Sequence, residues 1–256
     1  MKKCVFVTYG TSQYAGALTR IRREATATRW FTDVRVLGPA DIPSSYRNSL
    51  KEILNCPKGG GYWIWKPLIL REQLRRLSNN DILVYADAGC HVNKKGDFAR
   101  YLGIIEGSPF GSLSFEMAFI KEQWTHPRVF EHFSVACNDT IRTSGQYIAT
   151  ILPFRVCDRV RELVEVVCDV VDNDPLLFTD LEIPTSSSLL FQQCRHDQSI
   201  WSVAKKKLGT TAIPDETWSS DWATLINVPI QARRLRSAES RSTKLRRWFK
   251  SIVGLR

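Results

Sequence analysis

The sequence lacks the features that mark several common protein classes. No stretch approaches the roughly 20 consecutive apolar residues that a membrane-spanning helix needs, so an integral membrane protein is not expected. The seven cysteines are scattered without a Cys-x-x-Cys pair, which argues against a zinc site or a disulfide framework and favours reduced thiols in the cytosol. Walker, Gly-x-Gly-x-x-Gly and His-Glu-x-x-His motifs are also absent, so those phosphate and zinc sites are not expected.

The chain has the length and composition of a globular protein. Its 256 residues are 43% apolar and 24% charged, which suits one large domain with a sizeable core. The first residues, MKKCVFVTYGTSQYAGA, contain a short apolar run that polar residues interrupt from Thr8 onwards. We expect a first strand and turn there rather than a signal peptide, and a cytoplasmic protein.

Positive charge is concentrated in a carboxyl-terminal tail. Residues 231–256 contain nine basic residues and one acidic residue, and so carry +8 of the formal net charge of +10. We predict a catalytic domain over residues 1–228 and a tail over 229–256, in which STKLRRWFKSIVGLR forms a basic amphipathic helix.

Such a helix could dock on an anionic membrane surface, here the inner face of the cytoplasmic membrane. The alternatives are a frayed tail or a helix packed on the body or on a partner subunit. The body has no nucleic-acid-binding motif, so nucleic acid is not an expected partner.

Strand-like and helix-like patterns alternate along most of the chain. Strands are predicted at CVFVTYG, VRVLG, DILVYADAG, GSLSFEMAF, GQYIATILPF and TAIP. Helices are predicted up to about Arg29, over SYRNSLKEILN, after GGGYWIWKP, and over FARYLGIIE, RVRELVEVVCDVV and HDQSIWSVAKKKLG. This order predicts an α/β fold with a mainly parallel, mixed sheet flanked by helices. Ligands of such folds bind beyond the carboxyl ends of the strands.

The strand DILVYADAG ends in residues suited to binding. Asp87 could coordinate a hard cation or accept hydrogen bonds from a ribose, and Gly89 lets a bulky group approach the backbone. The alternative is a plain Asp-Ala-Gly turn.

The segment GGGYWIWKP combines three glycines, large rings and a lysine. Successive glycines before a helix can cradle a phosphate, and the rings of Tyr62 and Trp65 could stack on a base or a sugar. Lys66 near the helix start opposes the helix dipole, a conflict that a pyrophosphate would relieve. The alternative is that the rings fill the core and Lys66 is solvated.

Further polar residues stand out in apolar surroundings. The cluster RHDQ, residues 195–198, precedes an apolar helix, and Asp197 alone would suffice as its cap. Gly145 and Gln146 open an apolar strand, where the glutamine could bind a polar ligand. Glu116 lies in a buried strand and is therefore expected to be paired or to face a cleft.

These segments, in this order, resemble the nucleotide-diphospho-sugar glycosyltransferases of the GT-A fold. The similarity covers roughly residues 4–215, and it is closest to small bacterial and viral-type members that modify polysaccharides. The block from GGGYWIWKP to ADAGC is the specific part.

The resemblance implies a role for each candidate residue. The residues expected to bind the donor are Thr8, Tyr9, Gly10, Gly61, Tyr62, Trp65, Lys66, Asp87, Ala88, Gly89 and Arg195. Asp197, Gln198 and Glu116 are the catalytic candidates, and Gly145 and Gln146 are expected to bind the acceptor.

The family's Asp-x-Asp motif is incomplete here, because Gly89 stands at its second position. The resemblance implies a divalent cation, Mn²⁺ or Mg²⁺, held by Asp87 with His196. Alternatively, Lys66 and Arg195 carry the pyrophosphate charge without a metal.

The expected function is transfer of a sugar, with a UDP-sugar as the favoured donor, to a hydroxyl of a surface glycan. Retention of configuration is weakly favoured, and the acceptor is a polysaccharide, lipopolysaccharide or lipid-linked saccharide. The alternative is a non-catalytic nucleotide- or glycan-binding module on the same fold.

Overall fold

A computed structural model describes residues 2–181 and 190–235. The described residues form these strands: β1 (Cys4–Tyr9), β2 (Asp33–Leu37), β3 (Ile82–Ala86), β4 (His91–Val92), β5 (Leu113–Ile120), β6 (Gly145–Tyr147), β7 (Ile151–Arg155), β8 (Thr211–Pro214) and β9 (Ile230–Gln231). The predicted amphipathic helix falls on residues outside this range.

The helices follow the same chain order. They are α1 (Ala15–Thr28), α2 (Ser44–Ser49), α3 (Lys51–Leu54), α4 (Gly59–Tyr62), α5 (Trp65–Arg75), α6 (Phe98–Gly107), α7 (Lys121–Trp124), α8 (Pro127–His132), α9 (Thr140–Thr143), α10 (Asp158–Asn173) and α11 (Asp197–Leu208). None of the helices in the described ranges is long and apolar enough to cross a membrane.

The strands form a mixed sheet. Strand β1 pairs in parallel with β2 and β3, and β7 pairs with β3 in the antiparallel sense, which gives the order β2-β1-β3-β7. A second group has the order β6-β5-β8, and a bridge between Ser112 and Phe154 links it to β7. The predicted α/β class with a mixed sheet and flanking helices is therefore confirmed.

Alternation along the strands supplies two apolar cores, one on each face of the sheet. On β1, Val5 and Val7 face the core that α5, α10 and α11 cover, whereas Phe6 faces the core beside α1 and α6. The same alternation on β3 sends Leu83 and Tyr85 to the first core. Because both faces are covered, open binding surface is left at the carboxyl ends of β1 and β3.

Two local predictions need correction. The single strand expected over GQYIATILPF is two strands in different sheets, since β6 pairs with β5 and β7 pairs with β3. Strands β4 and β9 were not expected, yet His91 pairs with Gln231 and Val92 with Ile230. Residues 230–231, which the sequence assigns to the tail, are therefore part of the folded body.

Candidate active site

Asp87 follows β3 directly and lies at the carboxyl edge of the sheet. Its Oδ1 accepts a hydrogen bond of 2.5 Å from the Tyr85 hydroxyl and lies 3.3 Å from Nζ of Lys66. Its side chain retains 26% exposure, so one side of the carboxylate faces outwards. Asp87 is therefore both anchored and accessible, which a simple turn residue does not need to be.

Lys66 links Asp87 to a second carboxylate. Its Nζ donates to Oδ2 of Asp197 at 2.6 Å and to the carbonyl of Ala149 at 3.0 Å, and the residue is 1% exposed. Burial alone would lower the pKa of Lys66, but the charges of Asp197 and Asp87 outweigh it and raise that pKa. The expected conflict with the dipole of α5 is thus relieved by these carboxylates, in the place where a pyrophosphate was expected.

Asp197 is the first residue of α11, and it does not serve as the helix cap. The cap position is His196, and the Asp197 carboxylate turns inwards to Lys66. Burial raises the pKa of Asp197 to about 6, and the neighbouring charge of Asp87 adds to the rise, although Lys66 opposes it. Asp87, Lys66 and Asp197 form the bridged carboxylate pair.

The glycine segment forms a left-handed turn in front of α5. Residues 59–63 all have positive φ, and a Cβ at Gly61 would lie 2.7 Å from Cα of Leu54. The ring of Trp63 covers Gly59, where a Cβ would meet it at 2.5 Å. Glycine is therefore required by backbone conformation and by close packing, and the turn brings the aromatic residues to the site.

The aromatic residues after the turn have separate environments. Trp65 is buried and stacks on Tyr9 with ring centroids 3.8 Å apart, which fixes the start of α5 against the end of β1. Tyr62 is partly exposed, and its hydroxyl donates to Oδ2 of Asp180 at 3.0 Å. Of the two rings expected to stack on the donor, Tyr62 is the one with free surface.

His196 connects this turn to α11 in a strained conformation. Its φ of 52° and ψ of −128° lie in a region that side-chain-bearing residues rarely adopt. Nδ1 lies 3.0 Å from the carbonyl of Phe178, and Nε2 lies 3.5 Å from Oδ1 of Asp180. Burial lowers the pKa of His196, so the neutral ring is favoured.

These contacts test the donor set expected for a divalent cation. Asp87 is held by Lys66 and Tyr85, whereas His196 directs its ring nitrogens to Phe178 and Asp180. A protonated lysine beside the carboxylate opposes a second cation at that oxygen. Within the described residues, no group of three or more acidic, histidine or cysteine side chains could hold a metal. The donor set does not fit a resident Mn²⁺ or Mg²⁺.

Gln146 and Gln198, predicted separately, meet beside the bridged carboxylate pair. The Gln198 amide donates to Oε1 of Gln146 at 3.1 Å, and the Gln146 amide lies 3.3 Å from the Ser199 hydroxyl. Gly145 must be glycine, since a Cβ there would lie 2.2 Å from the carbonyl of Met117. Strand β6 and the start of α11 therefore form one wall of the site.

Glu116 is placed elsewhere. It pairs with Lys206 at 2.8 Å, and Lys206 lies nine residues beyond Asp197 along α11. At about 1.5 Å of rise per residue, that is two and a half turns from the bridged carboxylate pair. The structure therefore does not bring Glu116 to the other catalytic candidates.

The loop of Ala88 and Gly89 is held from two sides. Arg20 of α1 donates to the carbonyls of Ala88 and Cys90 at 2.8 and 2.7 Å. On the other side, the Leu235 amide donates to the Gly89 carbonyl at 2.8 Å. The loop after Asp87 is therefore fixed by a helix and by the carboxyl-terminal segment.

The remaining donor candidates lie at the same edge. Thr8 is fully buried at the end of β1, and its hydroxyl has no partner among the described residues. The Gly10 amide donates to the carbonyl of Leu37 at 3.2 Å. The guanidinium of Arg195 stacks on Trp124, 4.3 Å from the ring centroid.

Sequence reasoning missed three supporting groups. Asp180 contacts Lys58, Tyr62 and His196, but no motif in the sequence around it points to a binding role. Arg20 is one of several arginines on α1, and only its burial distinguishes it. Tyr85 could have been found from its spacing, because a tyrosine two residues before Asp87 points to the same side of the strand.

Comparisons with known proteins give structural likenesses alone. No family model matches the chain, and no curated protein matches it. A structure of the galactosyltransferase LgtC with donor and acceptor sugar analogs is 13% identical, covers 81% of this chain and 72% of that one, and has a TM-score of 0.41.

Two further solved structures are similar over nearly the whole chain. A glycosyltransferase involved in glycosylation of the major capsid of PBCV-1 is 6% identical, covers 97% of this chain and 99% of that one, and has a TM-score of 0.46. Mouse xyloside xylosyltransferase 1 is 8% identical, covers 91% and 97%, and has a TM-score of 0.45. These structural likenesses are loose, and they concern the fold alone.

Proposed function

We propose that the chain is a glycosyltransferase that moves a sugar from a nucleotide-diphosphate sugar to a saccharide hydroxyl. The bridged carboxylate pair carries this proposal: two carboxylates and one buried lysine meet at the carboxyl end of β3. Structural ion pairs in a core are usually fully enclosed, whereas Asp87 keeps 26% exposure at an edge where α/β folds bind ligands.

The chemistry of glycosyl transfer fits these groups. Positive charge develops on the sugar in an oxocarbenium-like transition state, while negative charge grows on the departing diphosphate. Asp197 and Asp87 supply carboxylates near the sugar, and Lys66 holds both of them in position. Gln198 is partly exposed and can hydrogen-bond sugar hydroxyls at the same wall, and the buried Gln146 holds its amide in place.

Water must be kept from the activated sugar, because the donor would otherwise hydrolyse. The rings of Trp63 and Tyr62 beside His196 offer apolar cover next to the bridged carboxylate pair. The buried Trp65 holds that cover against β1 through its stack on Tyr9.

The choice of nucleotide, stereochemical outcome and acceptor rests on the resemblance of the sequence to GT-A glycosyltransferases. UDP is the favoured nucleotide, retention the favoured outcome, and a polysaccharide, lipopolysaccharide or lipid-linked saccharide the favoured acceptor. A basic tail at a membrane surface would bring the enzyme to a lipid-linked acceptor.

The alternative is a non-catalytic nucleotide- or glycan-binding module. Gly89 at the second position of the acidic motif is the observation that favours it. A binding module and an enzyme would both bind the nucleotide, but only the enzyme would turn over a sugar donor.

Release of nucleoside diphosphate from a panel of UDP-, GDP- and ADP-sugars distinguishes these functions. We expect wild type to hydrolyse or transfer at least one donor, and Asp87→Ala to lose about 100-fold or more of that rate. Asp169→Ala, on the exposed face of α10, is the matched control and should retain full turnover. Binding without turnover above the Asp87→Ala level would support the module.

A further inference from the structure

The carboxyl-terminal segment occupies the place of the missing second carboxylate. A Cβ at Gly89 would lie 3.1 Å from Cα and 3.4 Å from the carbonyl carbon of Arg234. The Leu235 amide also donates a hydrogen bond to the Gly89 carbonyl, so the carboxyl-terminal segment is held against this loop. An aspartate at position 89 would therefore be crowded by backbone, and an arginine lies beside the loop instead.

Strand pairing holds this segment in position. Strand β9 pairs with β4, which follows Asp87 by only four residues, and the Ala232 amide donates to the carbonyl of Thr217 at 2.9 Å. Arg234 itself has a positive φ of 56°, which turns the chain at the loop. The pairing of β9 with β4 therefore places Arg234 beside the loop that follows Asp87.

Arg195 is a second arginine close to the bridged carboxylate pair along the chain. It lies two residues before Asp197, whose carboxylate is joined through Lys66 to Asp87. Its guanidinium is half-buried on Trp124, and burial together with the positive charge of Arg234 lowers its pKa. Two positive side chains near the loop after Asp87 and the start of α11 favour the binding of an anion there.

The part of the chain that the structure describes gives neither arginine an acidic partner. Within residues 2–181 and 190–235, no carboxylate forms an ion pair with Arg195 or Arg234. The bridged carboxylate pair has a formal charge of −1, and the two arginines change the local total to +1. The arginines thus turn a net negative site into a net positive one, which favours an anionic ligand such as a diphosphate.

We infer that Arg195 and Arg234 bind the diphosphate of the donor in place of a divalent cation. This inference rests on the proposed function and names the groups that hold its leaving group. Arginine suits the task because its planar fork donates two hydrogen bonds to phosphate oxygens and stays charged. In the reaction, the acceptor hydroxyl oxygen forms a bond to the anomeric carbon as the bond from that carbon to the diphosphate oxygen breaks. The electron pair of the broken bond stays on the diphosphate beside the guanidiniums, and the departing diphosphate takes up the acceptor proton.

Calorimetric titration of UDP, GDP, CDP and ADP into the full chain tests the inference, first with EDTA and then with Mn²⁺. We expect one diphosphate to bind in EDTA, with little change on adding Mn²⁺. Arg234→Ala and Arg195→Ala should each weaken that binding by about ten-fold or more, since each removes a charge-assisted contact. Arg22→Ala, an exposed arginine on α1, is the control and should bind as wild type does.

Binding of the matching nucleoside monophosphate separates a diphosphate contact from general damage. It should weaken less than diphosphate binding in both variants, and the exposed Arg234 can be replaced without disturbing the core. Diphosphate binding that requires Mn²⁺, or that neither substitution weakens, overturns the inference and leaves the proposed function standing. If no nucleoside diphosphate binds under either condition, the proposed function fails as well.

Discussion

Asp197 is the residue whose environment departs furthest from what its sequence position indicates. A polar residue before an apolar helix is usually a cap, yet Asp197 is buried and bound to Lys66 at 2.6 Å. Burial raises its pKa to about 6, whereas Lys66 beside it stays protonated because its own pKa is raised. Asp197 therefore changes charge near neutral pH while its partner does not.

This difference predicts the pH dependence of turnover. The site needs Asp197 ionised, and its carboxylate takes up a proton as the pH falls through about 6. We expect kcat/KM for donor turnover to fall on the acid side of that pH and to level off above it. The measurement is kcat/KM between about pH 4.5 and 8.

Asp197→Asn keeps the shape of the side chain and removes its titration. It should lower kcat by roughly 10²–10⁴-fold and abolish the acid limb, whereas Asp169→Asn should keep the wild-type profile. A rate that rises as the pH falls below 6 would contradict the role of Asp197 as an ionised group.

At the scale of elements, the glycine turn is held by conformation as well as by packing. Gly61 has φ of +99°, and α4 and the start of α5 depend on its close approach to Leu54. The turn then places Lys66 and Trp65, so a change at Gly61 acts on the site through α5.

Gly61→Ala should be destabilising by about 1–3 kcal/mol, because alanine is strained at this φ and its Cβ meets backbone. Urea unfolding measures the free energy, and donor turnover should fall with it. Gly103→Ala is the matched control: Gly103 lies inside α6 with nothing within 4 Å of an added Cβ. That control should be neutral or stabilising by up to about 1 kcal/mol. Equal effects at both positions would contradict the conformational role of the turn.

Local patterns predicted most elements of this fold. The expected strands at CVFVTYG, DILVYADAG and TAIP correspond to β1, β3 and β8, and the long amphipathic pattern corresponds to α10. The division of GQYIATILPF was not predictable in the same way, since an apolar run does not reveal which sheet each half joins. Pairing of β4 with β9 joins segments about 140 residues apart, and no local signal encodes it.

The sequence identifies individual residues of the site, but it does not predict the contacts between them. Asp87, Lys66 and Asp197 were each singled out, but their meeting depends on packing between β3, α5 and α11. The basic neighbours of Arg234 in sequence predict only a membrane-binding tail. Its contact with Gly89 comes from the β9 pairing, so only the fold could place it there.

At the scale of the molecule, five segments that are distant in sequence meet at one edge of the sheet. The ends of β1 and β3, the start of α5, the start of α11 and the carboxyl-terminal segment surround Asp87. A surface cavity of about 370 Å³ lies elsewhere, between residues 40–47 and the later turns of α5. We therefore expect the donor to bind at the sheet edge around Asp87 and not in that cavity.

Hydrogen–deuterium exchange with and without the nucleoside diphosphate that binds tests this location most directly. We predict slower exchange on binding in residues 59–65, 86–90, 195–198 and 232–235, and unchanged exchange in α2 and around residues 40–47. Protection confined to residues 40–47 and α5, with the Asp87 loop unaffected, would contradict the account.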